Sequence, residues 1–415
     1  MHNPMNTAHA PNQTPNMVEL KFDDHCQRSV HALRRALLDL YREVGADPNK
    51  PQDVARQFKL NKNLTWKVSR IIGTDNAFEA VRVIPGSGGL DILLQAMERG
   101  GATEESIGRV REAMGDFERM VDLHMGDRGH LELVLDSMGT GRPMEQSRKH
   151  AFKGNSGIWG VQAMTRFTAH FLAPNAKRPE MLDLAMIGGL SRMQRLRSVE
   201  RWPVFQLRDY NDDGSLPDRA QRRIGIEPGA TERAGDPWLM RSYCSAHMPE
   251  MHVRQQNDTV IYEIGDGPVG RTGEFSCCFG FADIAAVPRF ADAQNSVGEM
   301  MSSVSIPVEL LHFDLFIHRS LTEAMDPELY MMGTLGGAID GVGSMRLPMP
   351  ERFEDLGVNA MIDSPNIDRY GEMVEAVFAR TGQRASDFHC KRLTVEHPPF
   401  SSRVVVRYQL PDSSS

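Results

Sequence analysis

PQDVARQFKLNKNLTWKVSRII, residues 51–72, reads as two short helices joined by a tight turn. Pro51 suits a first helical position because its ring holds φ near the helical value. Val54, Ala55 and Phe58 then fall at i, i+1 and i+4, a narrow apolar stripe. Leu60 sits in the turn, and Asn61 is placed to cap the second helix. Leu64, Val68 and Ile71 follow at spacings of four and three, which buries one face. The opposite face carries Lys62, Asn63, Thr65, Trp66, Lys67, Ser69 and Arg70.

An upstream helix extends the unit. From Ser29 to Val44 the apolar positions are Val30, Leu33, Leu37, Leu40, Tyr41 and Val44, a helical period that Gly45 can end. Helix, short connection, helix, turn and helix resemble the three-helix core of helix-turn-helix transcriptional regulators. Ala55 stands where that motif wants a small residue, Leu60 matches its apolar turn residue and Val68 an anchor of its second helix. Lys59 departs from the pattern: it occupies the place where glycine usually supplies a left-handed turn residue. The resemblance implies double-stranded DNA as partner, with Asn61, Lys62, Asn63, Thr65, Trp66, Lys67 and Arg70 as contact residues. Lys62, Lys67 and Arg70 would neutralise phosphate, and Asn63 and Thr65 would reach base edges.

Charge supports that expectation. Between Gln27 and Ile72 there are ten Lys or Arg and four Asp or Glu, a local charge of +6 in a chain of net charge −8. A basic island on an acidic protein is the electrostatic footprint of a polyanion partner, because phosphate neutralisation dominates nucleic-acid affinity. The acidity of the remainder argues against coating of nucleic acid by the entire molecule.

The chain has 415 residues, enough for two or three domains with proper cores. Its five cysteines (Cys26, Cys244, Cys277, Cys278 and Cys390) form no C-x-x-C pair, which suggests a reducing compartment and a cytoplasmic location. No apolar run reaches membrane-spanning length, so no membrane partner is expected. Residues 1–20 read as a disordered tail, 21–85 as the helix-turn-helix domain, 86–145 as a helical connector and 146–415 as a large α+β domain. The expected class is α+β multidomain with mainly antiparallel sheet in the C-terminal part.

Beyond the second helix, Ala77–Ile84 fits either a short helix or the strand of a wing. Gly86-Ser87-Gly88-Gly89 precedes a helix over Leu90–Arg99, but lacks the Gly-Lys-Ser/Thr ending of a phosphate loop. Thr103 can cap a helix reaching Met125, with Ile107, Val110, Met114, Phe117 and Val121 buried. His124, Asp127, His130 and Glu132 lie close together, yet their spacing matches no metal pattern and no cofactor is implied.

In the C-terminal part, Gly154–Gly160 reads as a loop and Val161–Leu172 as a helix with Met164, Phe167, Thr168 and Phe171 on one face. Candidate strands are Leu182–Ile187, Trp202–Arg208, Thr259–Ile264, Phe275–Phe281, Ser305–His318 and Arg403–Leu410. Helical patterns recur at Arg289–Met300 and Asp368–Arg380, and 211–249 reads as a surface excursion. Cys277 and Cys278 should point to opposite faces of their strand.

The stretch VELLHFDLFIH, residues 308–318, puts Leu311, Phe313, Leu315 and Ile317 on one face and His312, Asp314 and His318 on the other. A carboxylate beside an imidazole can orient it for ligand binding or proton transfer, so these three are the ligand-site candidates. A sheet face meeting a neighbouring helix explains the same pattern without a ligand. No catalytic template is present: there is no Gly-x-Ser-x-Gly elbow and no His-Glu-x-x-His. The expected function is a DNA-binding regulator, a homodimer by analogy with its class, whose C-terminal domain answers a small-molecule effector or mediates assembly. Two other readings stay open: an enzyme with its site near His312 and Asp314, and an adaptor that holds a protein through the basic bundle.

Overall fold

The computed structural model describes residues 21–138, 142–208, 223–228, 238–256, 259–292, 296–333, 346–358 and 362–412. The tail expected at 1–20 lies outside them, as does much of the excursion expected at 211–249. The chain divides into two compact units, 1–139 and 140–415.

The first unit is helical throughout its described residues: α1 (Phe22–Glu43), α2 (Pro51–Gln57), α3 (Lys62–Gly73), α4 (Ala77–Val81), α5 (Ser87–Arg99), α6 (Glu104–Met125) and α7 (Arg128–Met138). The stripe Val30, Leu33, Leu37, Leu40 and Tyr41 is fully buried, as is the stripe from Ile107 to Val121 on α6. Asn76 and Thr103 cap α4 and α6, and Ala77–Val81 is a short helix, not a wing strand. A division at residue 85 between reading head and connector does not exist in the core. Val54, Phe58, Val68 and Ile71 share one apolar cluster with Leu93, Val110, Phe117 and Leu135. The reason is length: α1 runs 22 residues, more than α2 and α3 can cover, and the equally long α6 packs along it. Glu43 at the end of α1 accepts a hydrogen bond from the Thr103 backbone N–H at 3.0 Å, which ties the two helices at one end. Gly100 matters here, since a Cβ would fall 2.4 Å from the Phe58 ring and push the α2–α3 turn off α5.

The second unit opens with α8 (Arg142–Trp159) and is otherwise mainly sheet. In chain order the strands are β1 (Val161–Pro174), β2 (Met181–Arg195), β3 (Trp202–Arg208), β4 (Arg223–Gly225), β5 (Met251–Gln256), β6 (Thr259–Ile264) and β7 (Phe275–Pro288). Then follow β8 (Val297–Val304), β9 (Val308–His318), β10 (Glu328–Gly333), β11 (Arg346–Leu347), β12 (Glu354–Val358), the helix α9 (Tyr370–Thr381), β13 (Phe388–Glu396) and β14 (Ser402–Gln409). A seven-stranded sheet has the order β12-β13-β9-β1-β2-β7-β4; β9 and β1 are parallel and its other pairs antiparallel. One face carries α9 on Phe167, Phe171 and Phe316. The other packs on the four-stranded sheet β11-β10-β14-β8 and the three-stranded sheet β3-β6-β5. The mixed α+β class with antiparallel sheets stands.

Several local expectations are overturned. Val161–Leu172 is the strand β1, not a helix, and Gly154–Gly160 belongs largely to α8, not to a loop. Alternate residues Val161, Ala163, Thr165, Phe167, Ala169, Phe171 and Ala173 are all buried, a period of two that overrides the weaker spacing of Met164, Phe167, Thr168 and Phe171. Residues 297–300, expected as the end of the helix Arg289–Met300, belong instead to β8, every residue of which pairs with β14. In the 211–249 stretch, the described Ile226, Leu239 and Met240 are core residues, so these parts are not a surface excursion. Cys277 and Cys278 do divide between the two faces of β7, one in each core.

Candidate nucleic-acid interface and the buried Asp314 cluster

The α2–α3 unit is built by local chemistry. Lys59 adopts φ = 55°, so the left-handed turn position is present and is occupied by lysine. The chain reverses there, and the Leu60 N–H reaches the Ala55 carbonyl at 2.9 Å. The Asn61 side chain accepts the Asn63 N–H at 2.8 Å and so caps α3. From the other end, Arg34 of α1 donates its Nε to the Ile71 carbonyl at 3.0 Å, and Ser69 Oγ donates to the Pro48 carbonyl at 2.5 Å. Helix α3 is therefore fixed at its start, middle and end.

Its outer face presents Asn61, Lys62, Asn63, Trp66 and Arg70 exposed, with Lys67 half-buried; Trp66 is 48% exposed. No acidic residue lies within α3, and Lys59, Lys62, Lys67 and Arg70 form no ion pair among the described residues. Arg56 of α2 is held by Asp53 at 2.9 Å. Thr65 is a correction. It is 1% exposed, and its hydroxyl donates to the Lys62 carbonyl at 3.1 Å, so it cannot touch a base edge. It follows Leu64 directly and turns inward with Val68, where the sequence pattern had left it on the outer face.

The residues weighed as metal ligands have separate duties. His124 Nε2 lies 3.1 Å from His25 Nδ1 on α1, and Asp127 accepts the His130 N–H at 2.8 Å to start α7. Burial and the neighbouring imidazole push the His25 pKa down. Among the described residues no group of three His, Cys, Asp or Glu is placed to hold a metal ion.

In the second unit, β9 is buried on both faces. Leu311, Phe313, Leu315 and Ile317 enter the large core, while His312 and Asp314 lie under α9 at 1% and 0% exposure. Asp314 accepts three hydrogen bonds: Arg392 of β13 donates to Oδ1 at 2.9 Å and to Oδ2 at 2.8 Å, and the Tyr370 hydroxyl donates to Oδ2 at 2.7 Å. His312 Nε2 stands 3.2 Å from Oδ1 but makes no well-directed hydrogen bond. Burial alone would raise the Asp314 pKa. The Arg392 hydrogen bonds and the adjacent imidazole outweigh it and hold the carboxyl below its usual range. His318 is not part of this cluster. It lies four strand positions beyond Asp314, roughly 13 Å, where its Nδ1 meets Ser320 Oγ at 2.8 Å. The three ligand-site candidates are thus not one site, and the fully buried carboxylate, with three hydrogen bonds already accepted, is closed to a substrate. Tyr370 and Arg392 were invisible to the strand pattern because they lie 56 and 78 residues further along the chain.

No protein-family model matches this chain, and no curated protein matches it. Among solved structures it is similar to one described as a putative protease from Parabacteroides distasonis ATCC 8503, at 8% identity and a TM-score of 0.24. That likeness covers 61% of this chain and only 40% of the other, and at this score it carries no argument about fold or activity. No helix among the described residues is long and apolar enough to cross a membrane.

Proposed function

We propose that the first unit binds double-stranded DNA through α3, with the second unit as a ligand-sensing or assembly domain of a transcriptional regulator. The observation that carries this reading is the outer face of α3. It is capped, pinned at three points and free of acids, and among the described residues the side chains of Lys62, Asn63, Lys67 and Arg70 form no hydrogen bond or ion pair. Lys62, Lys67 and Arg70 neutralise phosphates, Asn63 reaches base edges, and Trp66 packs on the sugar–phosphate wall. Asn61 contributes chiefly as the cap. The adaptor reading predicts that this face would be covered by the later helices of its own unit, and α5, α6 and α7 leave it open. The enzyme reading loses support because Asp314 is already satisfied.

Regulation follows if two copies present two reading heads and an effector changes their separation. The test is fluorescence anisotropy with duplex DNA from the promoter region of its own gene, over a salt series. Lys62→Ala/Arg70→Ala should flatten the slope of log K against log salt by roughly two, at about 0.9 per lost phosphate contact. A folded protein that fails to bind at low salt ends the proposal.

A further inference from the structure

A cavity of about 500 Å³ opens between α9 and the β9–β13 pair of the seven-stranded sheet. That volume lies within the range of small-molecule sites. Phe316, Val374, Phe378, Phe388 and Cys390 make its floor, all buried. Phe378 stands edge to face with Phe316 at 5.9 Å and 87°, and tilted against Phe388 at 5.1 Å and 59°. His312 and Asp314 do not line it.

The mouth carries Asp363, Arg369, Glu372 and Glu375. Arg392, which donates to the Asp363 carbonyl at 2.8 Å, is charge-paired with Asp314, and Arg369, the cation in the lining, is also engaged. Arg369 gives two hydrogen bonds to Glu372 Oε2, at 3.1 and 2.7 Å, a third to the Ser242 carbonyl at 2.6 Å, and lies 4.7 Å over the Tyr243 ring. Glu372 is thereby neutralised. Asp363 and Glu375 form no ion pair among the described residues, and both are exposed. The entrance is therefore net negative above an aromatic floor, and aromatic faces favour cations over anions.

We propose that this cavity binds a small organic cation, an aromatic or alicyclic body bearing one protonated amine. The ring fills the space against Phe316, Phe378 and Phe388 while the ammonium sits between Asp363 and Glu375. The inference deepens the sensor reading given above and rests on it for any effect on DNA, but binding itself does not require that reading.

Isothermal titration calorimetry on the full chain without DNA, at low salt, separates the two. Three probes of matched shape are compared: naphthylethylamine, naphthylethanol and naphthylacetate. The amine should bind about tenfold more tightly than the alcohol, as two partly exposed charge contacts allow, and the carboxylate most weakly. Asp363→Asn/Glu375→Gln should bring amine and alcohol together. Ala385→Trp, at the exposed rim, should abolish binding of all three; circular dichroism checks that the variants fold. Naphthylacetate binding as tightly as the amine, absence of any binding, or binding unaffected by Ala385→Trp would each overturn the proposal. Because no DNA is present, a failed promoter assay leaves this result untouched.

Discussion

Lys59 holds the turn between α2 and α3 in a left-handed conformation that a β-carbon disfavours. The cost of that region is about 1–2 kcal/mol for an L-residue, while glycine would forfeit about 0.5–1 kcal/mol through its greater freedom when unfolded. The difference favours glycine, so Lys59→Gly should stabilise the first unit by about 0.5–1 kcal/mol in urea denaturation. A loss of stability would mean that the lysine side chain contributes contacts that outweigh the strain. Residue-level chemistry of this kind was legible beforehand: the turn position, the Asn61 cap and the buried stripe all follow from spacing and side-chain type. Thr65 was not legible, because a helix face three or four residues wide has borderline positions. Which way a borderline position turns is decided by α1, whose packing on α3 no local pattern contains.

At the scale of elements, β9 is the spine of the second unit, and the Asp314–Arg392–Tyr370 cluster ties it to β13 and α9. Breaking one side of a buried pair leaves an uncompensated charge, so Arg392→Met should destabilise this unit by about 3–5 kcal/mol at neutral pH. Asp314→Leu/Arg392→Met should recover most of that loss, because neither charge remains. The pH dependence has a definite sign. The folded-state pKa of Asp314 lies below its ordinary value of 3.8, so the stabilisation is complete above that value and is lost as pH falls through the folded pKa. The gap between wild type and Arg392→Met, measured by thermal unfolding, should therefore be widest at neutral pH and close under acid. A gap that persists below the folded pKa would assign the effect to packing of the arginine stem instead. The same scale explains the misread strands. Residues 161–172 satisfy a helical spacing in part, and only pairing with β2 and β9, one of them contributed from nearly 150 residues away, selects the extended form. By contrast, β3 and β6 were readable to the residue, since their apolar runs are short and bounded in the sequence by polar residues or glycine.

Over the whole molecule, the division of the core matters more than the division of the sequence. The first unit has one apolar cluster running from Cys26 to Leu135, and the second has its own pair of cores on the two faces of the large sheet. Among the described residues each apolar cluster lies within one unit, so each unit has a core on which to fold cooperatively. Calorimetry of the full chain should then show two transitions, one helical and one mainly β. Leu37→Ala, in the centre of α1, should lower the first by the several degrees that about 2–5 kcal/mol represents. Leu311→Ala, in the centre of β9, should lower only the second by a similar free energy. Far-ultraviolet circular dichroism identifies which transition is which, since the helical signal belongs chiefly to the first unit. If either substitution moves both transitions together, the units unfold as one. If they move separately, the control of DNA affinity proposed above would run through assembly of copies, and the salt series would then depend on protein concentration.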